Sequence, residues 1–258
     1  MISALSPTGI AICFSSEMLA APAQELAGRL GLPVTHPQDT QYPLLLTLTP
    51  TRLELRQTTK GAEGPLFVDF RGGSIEYRRR QTTSRKEAIA RAVGLKGGAT
   101  PSVLDLTAGL GRDSFILASL GCTVQMVERS AVVAALLADG MARAGEEPAL
   151  AGIMARLRLR VGESLEILRT WQGDRPEVVY LDPMYPHRGK SALVKKEMRL
   201  IRLLVGDDKD SDALLRAALG VATRRVVVKR PRLAPPLPGP EANFTSSGKN
   251  SRFDVYLT

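Results

Sequence analysis

The chain has 258 residues, of which 44% are hydrophobic, enough for one large α/β domain or for such a domain with a small appendage. Two cysteines and two histidines in unrelated places form no zinc signature and no disulfide framework, so we expect no metal. The sequence contains no run of about 18 apolar residues, so we expect no membrane span. Residues 1–21 contain Glu17 and lack a basic leader, which disfavours a signal peptide. The lack of a disulfide framework suits a reducing cytoplasm.

The net charge is unevenly distributed. The formal charge is +9, and residues 1–75 carry 5 Lys or Arg against 6 Asp or Glu, so the remainder, 76–258, carries +10. A basic excess confined to one part favours a polyanionic partner bound by that part, with nucleic acid the first candidate. A basic protein without such a partner is the alternative.

Residues 1–80 predict a small α+β domain. A short helix is expected over Ala23–Leu30, where Gly31 ends it. Three strands are expected to follow, at Leu44–Thr49, Leu53–Arg56 and Leu66–Phe70.

A basic segment connects this domain to the rest of the chain. Ser84 and Glu87 form a capping box for a helix that runs to about Val93. The basic side chains predict phosphate contacts, with a solvated surface as the alternative. They are Arg78, Arg79, Arg80, Arg85 and Lys86.

Residues 81–258 predict a single α/β domain in which strands and helices alternate. Such alternation indicates a parallel sheet covered on both faces. A terminal hairpin would complete a seven-stranded Rossmann-like sheet. The expected strands are Val103–Leu106, Thr123–Val127, Leu157–Val161, Val178–Leu181, Val226–Lys229, Phe244–Thr245 and Phe253–Leu257. The expected helices are Asp113–Leu120, Ala131–Ala144, Ser164–Arg169 and either Ser191–Val205 or Ser211–Leu219.

The first chemical motif is a Gly-rich turn that follows the first strand of this sheet. Ligands of doubly wound folds lie at the carboxyl ends of strands, and glycine lets the backbone approach them closely. No Gly-Lys-Ser/Thr follows, which excludes a P-loop, and an acid at Asp113 disfavours a pyrophosphate. That acid suits a zwitterionic amino acid bearing a sulfonium, as in S-adenosylmethionine. The candidate contacts are Asp105, Gly109, Gly111, Arg112 and Asp113.

Two further strand ends carry polar candidates for the same ligand. Glu128, followed by Arg129, lies 17 residues after Gly111, where a carboxylate accepts hydrogen bonds from both ribose hydroxyls. NAD-dependent enzymes and methyltransferases both use this arrangement. Glu163 and Ser164 follow the third strand and can reach an adenine edge, although Ser164 can equally cap the next helix.

The motif that separates these classes is Asp182-Pro183-Met184-Tyr185-Pro186. It resembles the Asp/Asn-Pro-Pro-Tyr/Phe motif of methyltransferases that act on exocyclic amines, with Met184 in place of the second proline. The lone pair of a base amine is delocalised into the ring, so acceptors on its hydrogens are needed to aim it at a methyl donor. We predict that Asp182 and the Pro183 carbonyl are these acceptors and that Tyr185 stacks on the base.

Basic residues follow this motif and the fifth strand. We predict that they contact phosphates of an RNA, with a solvated helix face as the alternative. His187 lies beside them, although a lone exposed histidine is more often not catalytic. The predicted contacts are Arg188, Lys190, Lys195, Lys196, Arg199, Lys229 and Arg230.

Four segments together resemble one family, ribosomal RNA small subunit methyltransferase J, a guanine-N2 methyltransferase. They are residues 105–113, 181–188, 190–199 and 226–231, and the similarity runs from about residue 65 onward. The resemblance implies a class I methyltransferase fold and a cytoplasmic bacterial enzyme that methylates one guanine of the small-subunit RNA, either free or in a ribosomal particle. It implies cofactor contacts at Arg112, Asp113, Glu128, Arg129, Glu163, Ser164 and Asp182.

Other functions stay open on the residues alone. An NAD-dependent oxidoreductase can share the fold. A DNA or RNA adenine-N6 methyltransferase can share the amine motif. A non-catalytic RNA-binding assembly factor would share the basic charge, but pure binding has no need for the Asp182–Pro186 motif.

Overall fold

The computed structural model describes residues 9–59, 64–72, 88–96, 98, 100–184, 196–206, 210–248 and 251–258. The N-terminal elements form a three-stranded sheet of order β1-β2-β3, in which β1 and β2 are parallel and β3 is antiparallel to β2. They are β1 (Ile10–Phe14), α1 (Ala20–Leu30), β2 (Leu44–Leu48) and β3 (Leu53–Gln57).

Strand β1 is absent from the predictions, whereas α1, β2 and β3 are confirmed. The sequence of β1 is apolar and nearly all buried, so it lacks the alternation that identifies a half-exposed strand. Helix α1 ends at Gly31, whose φ of 63° is a left-handed conformation that glycine adopts readily.

The third predicted strand, Leu66–Phe70, is wrong. Within this segment the pairing is one antiparallel bridge between Leu66 and Leu55. The Val68 carbonyl instead accepts a hydrogen bond from the Arg143 guanidinium. Because a side chain satisfies that carbonyl, the segment needs no strand partner there.

The remaining elements build the larger sheet and its helices. They are α2 (Ala88–Val93), β4 (Ser102–Asp105), α3 (Arg112–Ser119), β5 (Thr123–Glu128), α4 (Ala131–Gly145), α5 (Pro148–Met154), β6 (Leu157–Val161), α6 (Ser164–Arg169), β7 (Val178–Leu181), α7 (Lys196–Val205), α8 (Ser211–Val221), β8 (Arg225–Pro231), β9 (Phe244–Ser247) and β10 (Ser251–Leu257).

This sheet has seven strands in the order β6-β5-β4-β7-β8-β10-β9. The five strands from β6 to β8 are parallel, while β10 is antiparallel to both β8 and β9. The predicted sheet and terminal hairpin are therefore confirmed. From β4 the chain proceeds to β5 and β6 on one side and later to β7 and β8 on the other. The strand order thus reverses between β4 and β7, where doubly wound folds open a ligand crevice.

The helices depart from the predictions in two places. Both α7 and α8 are present where the patterns offered one or the other. Helix α5 is absent from the predictions, although Pro148 stands at its start, a position that proline favours. The helix predicted from Ser84 is seen from Ala88 onward. Its start and the predicted boundary between residues 80 and 81 lie outside the described residues.

Two buried apolar clusters lie on opposite faces of the larger sheet. The first cluster also includes side chains of the three-stranded sheet and of residues 64–72, so the core is continuous between the two sheets. Phe70 stacks on Phe115 of α3, with 4.9 Å between ring centroids. The second cluster packs α6 and α8 against the other face. Among the described residues, no helix combines the length and apolarity needed to cross a membrane.

A substitution at Gly140 in α4 can test this packing. A Cβ at this position would lie 2.5 Å from Cγ1 of the buried Val68, so Gly140→Ala should destabilise the protein by roughly 1–3 kcal/mol through overpacking. Gly152→Ala in α5, where a Cβ meets nothing within 4 Å, is the matched control and should be neutral or stabilising. Urea unfolding of both variants is the measurement, and equal stabilities would contradict the predicted contact.

Candidate cofactor and amine site

A cavity of about 420 Å³ opens at the carboxyl ends of β4, β5, β7 and β8, a size typical of small-molecule sites. All the predicted cofactor residues line it except Gly111. A Cβ at Gly111 would lie 2.7 Å from Cδ1 of Leu137, so this glycine, with φ +70°, permits close packing behind the cavity. The predicted residues that line the cavity are Asp105, Gly109, Arg112, Asp113, Glu128, Arg129, Glu163, Ser164, Asp182 and Pro183.

Asp105 fixes the turn between β4 and α3. Its Oδ1 accepts a hydrogen bond from the backbone N–H of Thr107 at 3.0 Å, and its Oδ2 accepts one from the Ser114 hydroxyl at 2.5 Å. Burial raises the pKa of Asp105 from 3.8 to about 7, with a further contribution from the charges of Asp113 and Asp182. The two hydrogen bonds lower it but do not outweigh burial.

Glu128 links this turn to the end of β5. Its Oε2 accepts a hydrogen bond from the Gly109 backbone N–H at 2.9 Å, and its Oε1 accepts one from that of Ser130 at 2.8 Å. Each carboxylate oxygen can accept more than one hydrogen bond. The Glu128 carboxylate is therefore oriented before any ligand binds, and its chemistry suits a pair of ribose hydroxyls.

Ser164 connects the end of β6 to the end of β4. Its hydroxyl donates to the Leu106 carbonyl at 2.6 Å. The residue at the N-cap of α6 is Glu163, so the alternative in which Ser164 caps that helix is wrong. Both residues line the cavity.

Lys229 lies inside the cavity, which corrects its predicted contact with RNA phosphates. Its ammonium donates to Oδ2 of Asp113 and to Oδ2 of Asp182, each at 2.7 Å. The Tyr180 hydroxyl donates to the same Asp113 oxygen at 2.8 Å. Burial lowers the pKa of Lys229, but the charges and hydrogen bonds of the two aspartates outweigh it and raise that pKa above its usual range. The ammonium therefore stays protonated.

Arg230 is also placed differently from its predicted RNA contact. Its side chain lies in the protein interior, with the residue 4% exposed. The guanidinium donates from Nε and Nη2 to the Pro235 carbonyl at 3.2 and 2.7 Å. Because successive strand residues point to opposite faces, Lys229 and Arg230 cannot both face the same surface.

Helix α7 and the start of α8 cover one side of the cavity. Arg129 donates from Nη2 to the Val205 carbonyl at 3.0 Å, which joins the end of β5 to the end of α7. The sequence patterns did not single out these covering residues, because their approach to the cavity depends on tertiary packing. They are Ile201, Arg202, Val205, Asp210, Ser211 and Leu214.

The other predicted RNA and base contacts are less completely seen. Arg199 is exposed on α7. Lys196 begins that helix, but its side chain is not described. The remaining candidates lie outside the described residues. They are Arg78, Arg79, Arg80, Arg85, Lys86, Tyr185, His187, Arg188, Lys190 and Lys195.

The donor set of the cavity fits S-adenosylmethionine. Gly109, with φ +53°, brings bare backbone to the cavity wall, where a Cβ would meet no atom closer than 4.0 Å. Glu128 suits the ribose, and the acids at Asp105 and Asp113 suit the positively charged amino acid end. In the described part of the chain, no group of three or more His, Cys, Asp or Glu side chains is arranged to hold a metal ion.

The sheet and the cavity define an S-adenosylmethionine-dependent methyltransferase, and comparison with known proteins agrees. A family model described as putative SAM-dependent methyltransferase matches residues 25–258. A SAM-dependent methyltransferase from Neisseria gonorrhoeae superposes with a TM-score of 0.74 at 37% identity, covering 96% of this chain and 95% of that one.

Curated relatives identify the family more narrowly. Proteins named ribosomal RNA small subunit methyltransferase J are 51% identical in Pseudomonas aeruginosa, over 92% of this chain and 90% of the relative. The relative in Thioalkalivibrio sulfidiphilus is also 51% identical, over 98% of this chain and 100% of its own length. The chain belongs to the ribosomal RNA small subunit methyltransferase J family. The similarity extends well before residue 65, further than the motifs alone indicated.

Glu128→Ala should weaken S-adenosylmethionine binding by roughly 1–3 kcal/mol, because the ribose hydroxyls and the Gly109 N–H lose their acceptor. Isothermal titration calorimetry measures the change. Glu166→Ala is the control, since that carboxylate is 62% exposed on α6 and outside the cavity. Equal affinities for Glu128→Ala and the control would refute the assignment.

Asp105 should make stability depend on pH. Because its pKa lies near 7 in the folded protein against 3.8 ordinarily, the folded state holds this proton more tightly than the unfolded chain between those values. The free energy of unfolding therefore falls as pH rises through that window. Asp105→Asn removes this dependence while retaining groups that can bond Thr107 and Ser114. Urea unfolding at about pH 5 and about pH 8 compares the two proteins; a difference that stays constant with pH would contradict the assignment.

Proposed function

We propose that this protein transfers the methyl group of S-adenosylmethionine to the exocyclic N2 amine of one guanine in small-subunit ribosomal RNA. The observation that carries the proposal is the position of Asp182 at the end of β7. Its backbone N–H donates to the Thr107 hydroxyl at 2.6 Å, and its side chain is 40% exposed and lines the cavity. The names of the curated relatives support the choice of RNA.

The proposed chemistry is direct displacement. The N2 nitrogen would bond to the methyl carbon as the carbon–sulfur bond breaks, S-adenosylhomocysteine would leave as a neutral thioether, and the nitrogen would release one proton to solvent. The cofactor supplies an electrophilic methyl carbon on a sulfonium. Asp182 and the Pro183 carbonyl accept hydrogen bonds from the target amine, so that its lone pair points toward that carbon. Positioning of this kind supplies much of the rate enhancement in bimolecular reactions. Tyr185 is assigned the stacking contact with the extruded base, which stays a prediction.

The proposed RNA contacts extend outward from this site. Exposed Arg199 lies on α7, the helix that covers the cavity through Arg202. The basic residues before α2 and in the 185–195 segment are assigned to the same partner, which would account for the +10 charge after residue 75. A ribosomal RNA substrate also places the protein in the bacterial cytoplasm.

Asp182→Ala should lower the methylation rate by a factor on the order of 10²–10³, because it removes a preorganised acceptor used as the amine becomes tetrahedral. Single-turnover methylation at saturating cofactor is the measurement, with small-subunit RNA from cells that lack the protein. Asp212→Ala, at an exposed ion pair with Arg216 on α8, is the control and should keep the wild-type rate.

Mass mapping of methylated nucleosides in the same RNA tests the proposed product. Cells that lack the protein should lose one N2-methylguanine, and the wild-type gene should restore it. Asp182→Ala should fail to restore it at low expression. A missing N6-methyladenine instead, or no missing methyl group, would overturn the proposed function. A wild-type rate for Asp182→Ala would overturn the role of that residue.

A further inference from the structure

The cavity contains a protonated lysine between two carboxylates, and the methyl transfer proposed above assigns it no role. Lys229 lies at the carboxyl end of β8, and its ammonium contacts Asp113 from α3 and Asp182 from β7, both at 2.7 Å. Its side chain is 23% exposed. A cation this sheltered carries a desolvation cost that close carboxylates must offset.

The two carboxylates share the Lys229 ammonium but differ in burial. The Asp113 side chain is 9% exposed, and its Oδ2 also receives the Tyr180 hydroxyl at 2.8 Å. Burial raises the pKa of Tyr180 well above its usual value, and the charges of Asp113 and Asp182 raise it further, so this hydroxyl remains a donor. Asp113 thus keeps a neutral donor if Lys229 is removed. Asp182, 40% exposed at the cavity wall, contacts the same ammonium at 2.7 Å.

Charged side chains of both signs line the cavity around Asp182, and the cations among them include Arg112, Arg129 and Arg202. Asp105 at the end of β4 and Asp113 in α3 are acidic, and both interact electrostatically with their neighbours in the cavity. Lys229 from β8 donates a hydrogen bond to Asp182 at 2.7 Å, so its positive charge acts directly on that carboxylate. Without it, Asp182 would lose a cation at hydrogen-bonding distance while Asp105 and Asp113 remain nearby, and like charges favour the protonated form of a carboxyl group.

The protonation state of Asp182 decides which base edge it can bind. An ionised carboxylate only accepts hydrogen bonds, whereas a protonated one also donates. Guanine presents two adjacent donors, N1–H and the N2 amine. Adenine presents an amine beside a bare N1 acceptor, which an ionised carboxylate repels. A site that binds hydrogen-bonding groups of its substrate rejects analogues that leave those groups unpaired.

We propose that Lys229 is a positioning residue that holds Asp182 ionised and acceptor-only, and that it thereby selects guanine at the amine site. The inference rests on the proposed function, since it assumes that Asp182 faces the target base. It assigns to Lys229 a part in base selection, in place of a contact with RNA phosphates.

The experiment compares two RNAs under single-turnover conditions at saturating S-adenosylmethionine. Small-subunit RNA, free or reconstituted into particles, carries either guanine or 2-aminopurine at the methylated position. 2-Aminopurine keeps the N2 amine but has an acceptor at N1. The wild-type protein should methylate the guanine RNA faster by about 100-fold or more, as expected for a mismatched hydrogen-bonding edge.

Lys229→Met should change both the pH profile and this preference. The acid limb of the pH–rate profile should shift to higher pH by about one unit or more, because the cation that favours the ionised carboxylate has been removed. At a pH between the acid limbs of the two proteins, the preference for guanine should shrink to about 10-fold or less, because the protonated Asp182 of the variant can donate to N1. Lys229→Arg keeps the charge and should restore the wild-type limb and preference. If Lys229 had only a structural role, folded Lys229→Met would keep the wild-type pH–rate profile and the wild-type preference for guanine.

Asp182→Asn keeps the test decisive if Lys229→Met does not fold. An amide cannot ionise and offers both a donor and an acceptor. This variant should lose the acid limb and most of the preference for guanine. A wild-type limb and preference in Lys229→Met, or an intact preference in Asp182→Asn, would overturn the inference. Absence of methyl transfer by the wild-type protein to either RNA would count against the proposed function instead.

Discussion

Four acidic side chains crowd the carboxyl ends of adjacent strands, and the site depends on holding them there against desolvation and mutual repulsion. Each has a specific counterpart. Backbone N–H groups bind Glu128, a backbone N–H and a serine hydroxyl bind Asp105, and Lys229 joins Asp113 to Asp182. Buried charges persist only when such partners are present. The arrangement places a protonated lysine between two carboxylates at the cavity wall, beside acidic groups that suit a positively charged cofactor and a hydrogen-donating base.

The sheet supplies the geometry that this charge arrangement requires. The central strands β4 and β7 are almost wholly buried, and their side chains pack into clusters on both faces. The two strands are hydrogen-bonded parallel neighbours, roughly 5 Å apart, so the residues that follow them can meet within hydrogen-bonding distance. The N–H of Asp182 reaches the Thr107 hydroxyl across this gap. The fold thus turns three separate sequence motifs into one site.

What the sequence could predict depends on how local the signal is. The Gly-rich turn and the acid after β5 were found because a strand end positions its own next residues. Lys229 and Arg230 were assigned together, yet they face different surroundings. A fully buried strand shows no alternation, so its sequence cannot tell which of two neighbouring basic residues faces the cavity. Residues 66–70 have the apolar sequence of a buried strand. In the structure, however, the Val68 carbonyl accepts its hydrogen bond from the Arg143 guanidinium and not from a neighbouring strand.

The stacking of Phe70 on Phe115 has a thermodynamic consequence. Phe70 belongs to the segment after the small sheet, and Phe115 lies one turn into the helix that begins at the cofactor turn. The ring of Phe70 also lies next to the position of a Cβ at Gly111. The N-terminal segment therefore packs against the cofactor turn and the helix that follows it. By linkage, a ligand that binds more tightly when this packing is in place would stabilise the docked segment by the same free energy. The N-terminal unit contributes no side chain to the described cavity wall, so its effect on cofactor affinity would act through this packing.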